Sequence, residues 1–186
     1  MKLIKLPLVA ALSLLVLSSN AWAQSTKRLI DEVNPFIGTS NFGTTNPGAV
    51  VPNGLMSITP FNVSGSPELN KFDKDKRWWS TPYTADNKFF SGFSHVNLSG
   101  VGCPELGSII VSASAGDLDV DYTHYGSAMS EEKAHPGYYS VQLDKHKIKA
   151  EVTATQRTAV SAFTFDRGCK SNILVNLGLG LTNESG

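Results

Sequence analysis

The sequence predicts an all-β fold, an antiparallel β-sandwich that follows a secretory signal peptide. Two observations lead to this prediction. Apolar residues recur with a period of two along most of the chain, and no useful length of sequence shows the 3.6-residue period of a helix. The short strand candidates are separated by Gly, Pro, Asn and Asp, a spacing that is typical of sandwiches rather than of alternating α/β folds.

The chain begins with features of a secretory signal peptide, predicted to occupy residues 1–23. Lys2 and Lys5 precede a largely apolar run from Leu6 to Leu17, and Ala21-Trp22-Ala23 has the small-x-small form of a cleavage site. The run is shorter than the roughly 20 apolar residues that a membrane-spanning helix needs. We therefore expect a secreted protein, periplasmic in a Gram-negative bacterium, whose folded domain comprises residues 24–186.

The charge balance argues against polyanionic partners. With 16 basic and 16 acidic residues the formal net charge is zero, so there is no electrostatic reason to expect binding to nucleic acid or to an anionic membrane. A neutral partner fits better. Cys103 and Cys169 are the two cysteines, and an oxidising compartment would permit a disulfide between them, although spacing alone leaves the pairing open.

The strand predictions follow the alternation in order. Residues 139–143 and 147–155 each place apolar side chains on one face, and the Asp-Lys-His-Lys segment between them predicts a hairpin. Residues 161–165 alternate in the same way. Ile109–Val111 and Ile173–Leu177 are continuous apolar runs, which predict strands buried on both faces.

Two stretches rich in glycine and hydroxyl residues, 34–54 and 90–108, interrupt the strands and form the candidate functional edge. A polar segment between them carries Trp78, Trp79 and Tyr83. Aromatic faces cover the C–H surfaces of a sugar, and hydroxyl, amide and imidazole groups bond to its hydroxyls. The predicted substrate-binding residues are Trp78, Trp79, Tyr83, His95, Asn97, Ser99, Gly100, Gly102 and Cys103.

Other chemistries fit the residues less well. Asp117, Asp119 and Asp121 resemble the start of a calcium loop, but Tyr122 and Ala128 stand where such a loop needs Gly and Glu. The segment is therefore predicted to be a strand with Leu118, Val120 and Tyr122 buried. The four histidines lack the spacing of a zinc site, and Ser99 lacks the G-x-S-x-G setting of a hydrolase nucleophile.

Five motifs, taken together and in order, resemble the N-terminal domain of glycoside hydrolase family 92, the bacterial exo-acting α-mannosidases. They are VNPFIGT (33–39), PGAVVPNGLMSITP (47–60), GFSHVNLSGVGCPELGSI (92–109), EEKAHPGYYSVQL (131–143) and IKAEVTATQRTAVSAFTF (148–165). The resemblance covers nearly all of the chain that follows the signal peptide.

The resemblance implies a β-sandwich followed by a larger helical (α/α)6 domain, with the sugar bound between them. It implies calcium-dependent, inverting hydrolysis of α-mannoside glycans, including N-glycans, with the catalytic carboxylates and most calcium ligands in the helical domain. No position of this chain matches a catalytic residue, and no metal ligand is assigned. The matching motif carries over His95, Ser99, Gly100, Gly102 and Cys103 as the lip of the active site.

Two points separate this chain from the family pattern. Many members carry histidines after NPFIGT, whereas here the stretch is SNFGTTNPG, so a linkage preference does not transfer. The sequence closes on a glycine-rich stretch without a final strand, which predicts an incomplete sandwich that lacks activity alone. Two alternatives remain open at this stage, a stand-alone carbohydrate-binding module and a degenerate fragment.

Overall fold

The structure is a computed structural model, and it describes residues 28–41, 43–63, 81–100, 106–121, 124 and 126–178. The chain divides into two compact units, Met1–Glu32 and Val33–Gly186. In the first unit the described residues form a short 3-10 turn at Leu29–Glu32, where Arg28 pairs with Asp31 at 3.0 Å. The predicted signal peptide, residues 1–23, lies outside the described residues.

The second unit is an antiparallel β-sandwich, which confirms the predicted fold class. Its described residues contain ten strands. The first sheet has the order β1-β2-β4-β5-β10 and the second the order β3-β6-β7-β8-β9. The strands are β1 (Ala49–Val50), β2 (Ser57–Phe61), β3 (Phe89–Phe90), β4 (Gly92–His95), β5 (Ile110–Ala115), β6 (Ser127–His135), β7 (Tyr138–Leu143), β8 (Ile148–Ala154), β9 (Ala159–Thr164) and β10 (Ser171–Asn176).

The core lies between the two sheets, where the period-two alternation places apolar side chains facing each other. Ile148, Ala150, Val152 and Ala154 of β8 are all buried, as the alternation predicts. Across from them the first sheet contributes Phe93, whose ring meets that of Tyr139 edge-on at 6.1 Å. The predicted β7–β8 hairpin is also confirmed, with the turn at residues 144–147.

The chain changes sheets between β3 and β4 at Gly92. This residue has φ +151°, and a Cβ there would lie 2.3 Å from Cγ2 of Ile110. Only glycine allows β4 to approach β5 this closely. Because the chain passes here from the second sheet to the first, the end of β4 lies beside β5.

Two predictions about buried segments are wrong. Residues 117–121 form no strand, and Leu118 and Val120 are 63% and 75% exposed, because the segment pairs with none of the strands that the structure describes. Tyr122 lies outside the described residues. The run 173–177 does contain β10, but β10 pairs with β5 alone among the described strands, and Ile173 and Val175 are 53% and 59% exposed instead of buried. Ile109 likewise precedes β5 and is half-exposed.

The open side of β10 is part of the inner face of the first sheet. Val175 pairs with Val111, and Val111 pairs with the core residue Phe93, so all three side chains point to the same face. Ile173 shares that face through its partner Ala113. The inner face therefore continues past β5 into apolar residues that the second sheet leaves exposed. No helix within the described ranges has the length and apolar character needed to cross a membrane.

Candidate functional site

The glycine-rich stretch 90–108 contains β4 and then leaves the sheet. Its described residues return through an isolated bridge between Asn97 and Leu106, with the Gly107 amide donating to the Val96 carbonyl at 3.2 Å. The stretch then joins β5 at Ile110. The described residues of the loop, 96–100 and 106–109, are thus held between the end of β4 and the start of β5, and we call the paired residues 96–97 and 106–109 the neck of the loop.

Three residues at this neck adopt left-handed backbone conformations that non-glycine residues rarely use. Val96 has φ +55°, Leu106 +70° and Ile109 +57°. Such a conformation costs about 1–3 kcal/mol for each residue and persists only where the surroundings enforce it. Here the Val96 amide donates to the Ser57 carbonyl at 2.9 Å, which anchors the strained turn to β2. Sequence reasoning missed these residues, since no composition signal marks a strained valine, leucine or isoleucine.

A mostly apolar hollow of about 430 Å³ lies against this neck. Val111 belongs to its wall and pairs with the exposed Val175 of β10, so the hollow adjoins the uncovered inner face of the first sheet. The residues that line it are Met56, His95, Val96, Leu106, Gly107, Ser108, Ile109 and Val111.

His95 supplies the imidazole in the hollow. Its Nδ1 lies 2.6 Å from the carbonyl oxygen of Ile109. A carbonyl can only accept, so the neutral imidazole carries its proton on Nδ1 and presents Nε2 as an acceptor. The same bond holds the strained Ile109 in place. Within the described residues, Nε2 is therefore the nitrogen of His95 that remains for an outside donor.

The side chain of Asn97, predicted to bind substrate, forms its hydrogen bonds within the turn that follows β4. Its side-chain oxygen accepts from the Ser94 hydroxyl at 2.9 Å, and its amide group donates to the Ser94 carbonyl at 3.0 Å. Its backbone amide donates to the Ser57 hydroxyl at 2.7 Å. These bonds use the amide to fix the turn, so Asn97 is built to position the loop rather than to reach a sugar directly.

The two glycine-rich stretches meet, as the sequence predicts for a shared functional edge. The Gly100 amide donates to the Thr44 carbonyl at 2.7 Å, and the Asn46 side chain donates to the Leu98 carbonyl at 3.4 Å. Ser99 and Gly100 are both exposed. Gly100 has φ +76° with open space around it, so its backbone conformation, not a close approach, calls for glycine.

The remaining predicted site residues do not join this group. Tyr83 is fully buried, and its hydroxyl donates to Glu132 at 2.8 Å, which does not suit the sugar contact predicted for it. Trp78, Trp79, Gly102 and Cys103 lie outside the described residues. Cys169 carries a free thiol 3.1 Å from the Asp166 carbonyl, whereas Cys103, with which it could pair, is among those residues not described.

Metal-binding side chains are not brought together. Among the residues that the structure describes, no group of three or more His, Cys, Asp or Glu side chains could hold a metal ion. Asp119 of the acidic segment bonds instead to the His124 ring at 3.1 Å, and both side chains are exposed. The described residues therefore provide no cluster of acidic ligands that fits a calcium ion.

Fold and site together define a β-sandwich domain that carries a strained, glycine-rich edge and an apolar hollow at one end. The domain model of the glycosyl hydrolase family 92 N-terminal domain matches residues 32–186. The chain belongs to glycosyl hydrolase family 92, within its N-terminal domain. The resemblance identified from the five sequence motifs is confirmed.

Relatives and solved structures agree with this assignment. An uncharacterized secreted glycosidase of Arthroderma benhamiae is 29% identical over an alignment of 163 positions, which covers 83% of this chain and 20% of that protein. A family GH92 α-mannosidase from Bacteroides thetaiotaomicron has a TM-score of 0.71 and 30% identity, over 82% of this chain and 20% of the other. Its complex with mannoimidazole gives a TM-score of 0.70. The chain spans about a fifth of the length of these proteins.

Proposed function

We propose that this chain is the N-terminal, carbohydrate-contacting portion of a secreted, calcium-dependent, inverting exo-α-mannosidase. Its partners are an α-mannoside glycan and an (α/α)6 domain that carries the catalytic carboxylates and most of the calcium ligands. The chain by itself is inactive. Family membership supports the enzyme class, and the α-mannosidase similarity at 30% identity supports the substrate class.

The observation that carries this proposal is the continuity between the hollow and the open face of β10. Val111 forms part of the hollow wall and pairs with Val175, which is 59% exposed on the inner face. A monomeric protein rarely leaves such a contiguous apolar surface in water unless a partner covers it. A helical domain seated on β10 would meet the hollow at its edge, with His95 at the boundary.

The chemistry of the hollow supports a contacting role and not a cleaving one. Inverting hydrolysis uses two carboxyl groups about 6.5–9.5 Å apart, one on each side of the scissile bond. Among the described residues that line the hollow, none is a carboxylate. What the hollow does offer is the imidazole of His95, whose Nε2 accepts a hydrogen bond from a sugar hydroxyl while Nδ1 remains bonded to Ile109.

The exposed loop residues complete the proposed lip. Ser99 and Gly100 lie on the loop that follows the strained Val96, and Thr44 of the other glycine-rich stretch holds Gly100 in place. Trp78, Trp79, Gly102 and Cys103 stay as proposed sugar contacts on the strength of the sequence. Secretion is supported by the secreted glycosidase relative and by the features of residues 1–23, and a periplasmic location follows if the host is a Gram-negative bacterium.

A chimera tests the proposal. This chain would replace the matching N-terminal part of the Bacteroides α-mannosidase, and hydrolysis of 4-nitrophenyl α-mannoside would be measured with and without His95→Ala. Loss of the Nε2 contact should lower kcat/KM by about tenfold or more, as a hydrogen bond to substrate is lost. Ser161→Ala on β9 is the matched control away from the hollow and should leave kcat/KM unchanged.

Two results would contradict the proposal. One is an active chimera whose kcat/KM is indifferent to His95→Ala while the control behaves as expected. The other is tight binding of mannobiose by the isolated chain in calorimetry, together with the absence of hydrophobic-dye binding. That result would favour a stand-alone carbohydrate-binding module.

A further inference from the structure

A second hollow, of about 200 Å³, lies on the outer face of the second sheet, away from the core. Ser140 is at its floor and is only 4% exposed even though it points outward, because longer side chains stand around it. The polar members of the wall are Glu131, Lys133, Tyr138, Gln142 and Lys149. The hollow beside His95 is lined almost entirely by apolar surface, whereas this one is lined by polar and apolar surface in similar measure, with Val141 as its aliphatic member.

The wall is held in place by contacts between its own side chains. The Tyr138 hydroxyl donates to Glu151 at 2.5 Å, and Lys149 pairs with the same carboxylate at 2.9 Å. The Tyr138 ring stacks on His135, with ring centres 4.8 Å apart and planes 12° from parallel. An aromatic side chain fixed at both its ring and its hydroxyl is a preorganised contact surface.

A β-bulge brings the acidic wall into position. The register between β6 and β7 shifts between Ser130 and Lys133, and Glu131 in the bulge has φ +51°. The extra residue shifts the alternation of β6 by one position, so Glu131 lies on the outer face beside the hollow and Glu132 turns inward to the buried hydroxyls of Tyr83 and Tyr139. Bulges commonly redirect a side chain beside a binding site.

The charges around the hollow balance. Lys133 and Lys149 are opposed by Glu131 and Glu151, so neither an anion nor a cation gains net attraction there. A neutral ligand with many hydroxyl groups matches the mixture of carboxylate, ammonium, amide and phenol groups that the wall offers. The small volume limits the occupant to about one sugar ring.

We propose that this outer hollow is a second carbohydrate-binding site, which takes a single neutral hexose of a glycan at a distance from the hollow beside His95. The identity of the sugar class rests on the proposed function. The outer hollow would bind one sugar of a glycan, while the terminal sugar of the same glycan binds at the hollow beside His95.

Amide chemical shifts of the ¹⁵N-labelled full chain, titrated with methyl α-D-mannopyranoside, test the proposal. We expect saturable shifts around Ser140, Gln142 and Lys149 with a Kd on the order of millimolar, the range for a ligand of this size. Ser140→Leu fills the floor and should weaken binding by at least about tenfold. Ala162→Leu is the matched control, because Ala162 and Ser140 are the two neighbours of Glu151 on the same face.

A second pair of variants covers the case in which Ser140→Leu does not fold. Gln142→Ala removes one wall amide and should weaken binding, whereas Thr164→Ala, beyond Lys149 in the same row, should not. If the two variants of a folded pair weakened mannoside binding equally, the proposal of an outer site would be wrong. It would also be wrong if sodium sulfate, and not the mannoside, produced the chemical-shift changes. Mannoside shifts confined to His95 and its neighbours would overturn it too, while leaving the proposed function standing.

Discussion

At the scale of single residues, three asparagine and histidine side chains explain how loops without regular structure are held. His95 bonds to Ile109, Asn97 to Ser94 and Ser57, and Asn62 to the segment that precedes β3. Asn62 and Asn97 satisfy backbone or hydroxyl groups that would otherwise be buried without partners, whereas the bond from His95 fixes the more exposed Ile109. These residues determine where the loops start and end.

Asn62 is the clearest case and gives the first prediction. It is fully buried, and its side chain bonds to the Thr84 carbonyl, the Thr84 amide and the Asn87 carbonyl at 2.7, 2.8 and 2.6 Å. Asn62→Ala leaves these groups unsatisfied, so we expect the free energy of unfolding to fall by about 3 kcal/mol in urea denaturation. Asn172→Ala, which loses a weaker and more exposed bond, should cost less than about 1 kcal/mol. Equal losses would contradict the role given to Asn62.

Two glycines of the same motif are predicted to differ in cost. Gly92→Ala places a Cβ 2.3 Å from Ile110 and should destabilise by more than about 3 kcal/mol. Gly100→Ala meets open space and pays only for its left-handed backbone, about 1 kcal/mol. Thermal melting of both variants measures the difference. A Gly100 variant as unstable as the Gly92 variant would mean that Gly100 is closely packed.

At the scale of elements, the bulge in β6 places one glutamate on the outer face of the second sheet and the next one in the interior. Glu132, turned inward by the bulge, accepts from the hydroxyls of Tyr83 and Tyr139 at 2.8 and 2.7 Å and pairs with Lys88. Tyr83 lies in the segment before β3 and Tyr139 in β7, so one carboxylate ties this loop to the second sheet. Burial, followed by the Glu132 charge, raises the pKa of both tyrosines above the ordinary value of 10.0.

This network predicts a loss of stability in alkali. A tyrosine whose pKa is raised in the folded state keeps its proton there while the unfolded chain releases it, so its contribution is complete below pH 10 and falls above it. Two such groups give a slope of up to about 2.7 kcal/mol per pH unit. The free energy of unfolding, measured by urea denaturation from pH 9 to 11, should fall with a slope that steepens towards this limit as the tyrosines of the unfolded chain ionise. Tyr83→Phe should reduce it by about half, and an unchanged slope would argue against the network.

The elements also show how far the sequence could be interpreted. The alternation correctly predicts β7, β8 and β9, because each has one face against the core. It fails for 117–121 and for the burial of β10, since a pattern gives a period but not what covers the face. The placement of the sugar site on the two glycine-rich stretches stays a prediction. The strain at Val96, Leu106 and Ile109 depends on contacts with other strands and left no mark in the sequence.

At the scale of the whole molecule, the sandwich has one side that its second sheet does not cover. Ile173 and Val175 face inward from β10 yet are more than half exposed. The hollow beside His95 opens at the same side through Val111. The β-sandwich therefore has a buried core between its sheets and an exposed apolar surface on the inner face of β10.

The open side predicts how two similar substitutions will differ. Val175→Thr should cost less than about 0.5 kcal/mol, because the new hydroxyl stays in water, and should reduce binding of a hydrophobic dye. Val141→Thr buries the same hydroxyl in the core and should cost about 1–3 kcal/mol. Urea denaturation and dye fluorescence measure both effects. Equal costs for the two variants would show that β10 is covered.

The measurement that tests the central claim most directly is turnover of 4-nitrophenyl α-mannoside by the purified chain with calcium and no other protein. The proposal that the bond-breaking carboxylates lie outside this chain predicts no hydrolysis above the buffer rate. Hydrolysis that co-elutes with the chain in gel filtration, and that a chelator abolishes, would contradict it.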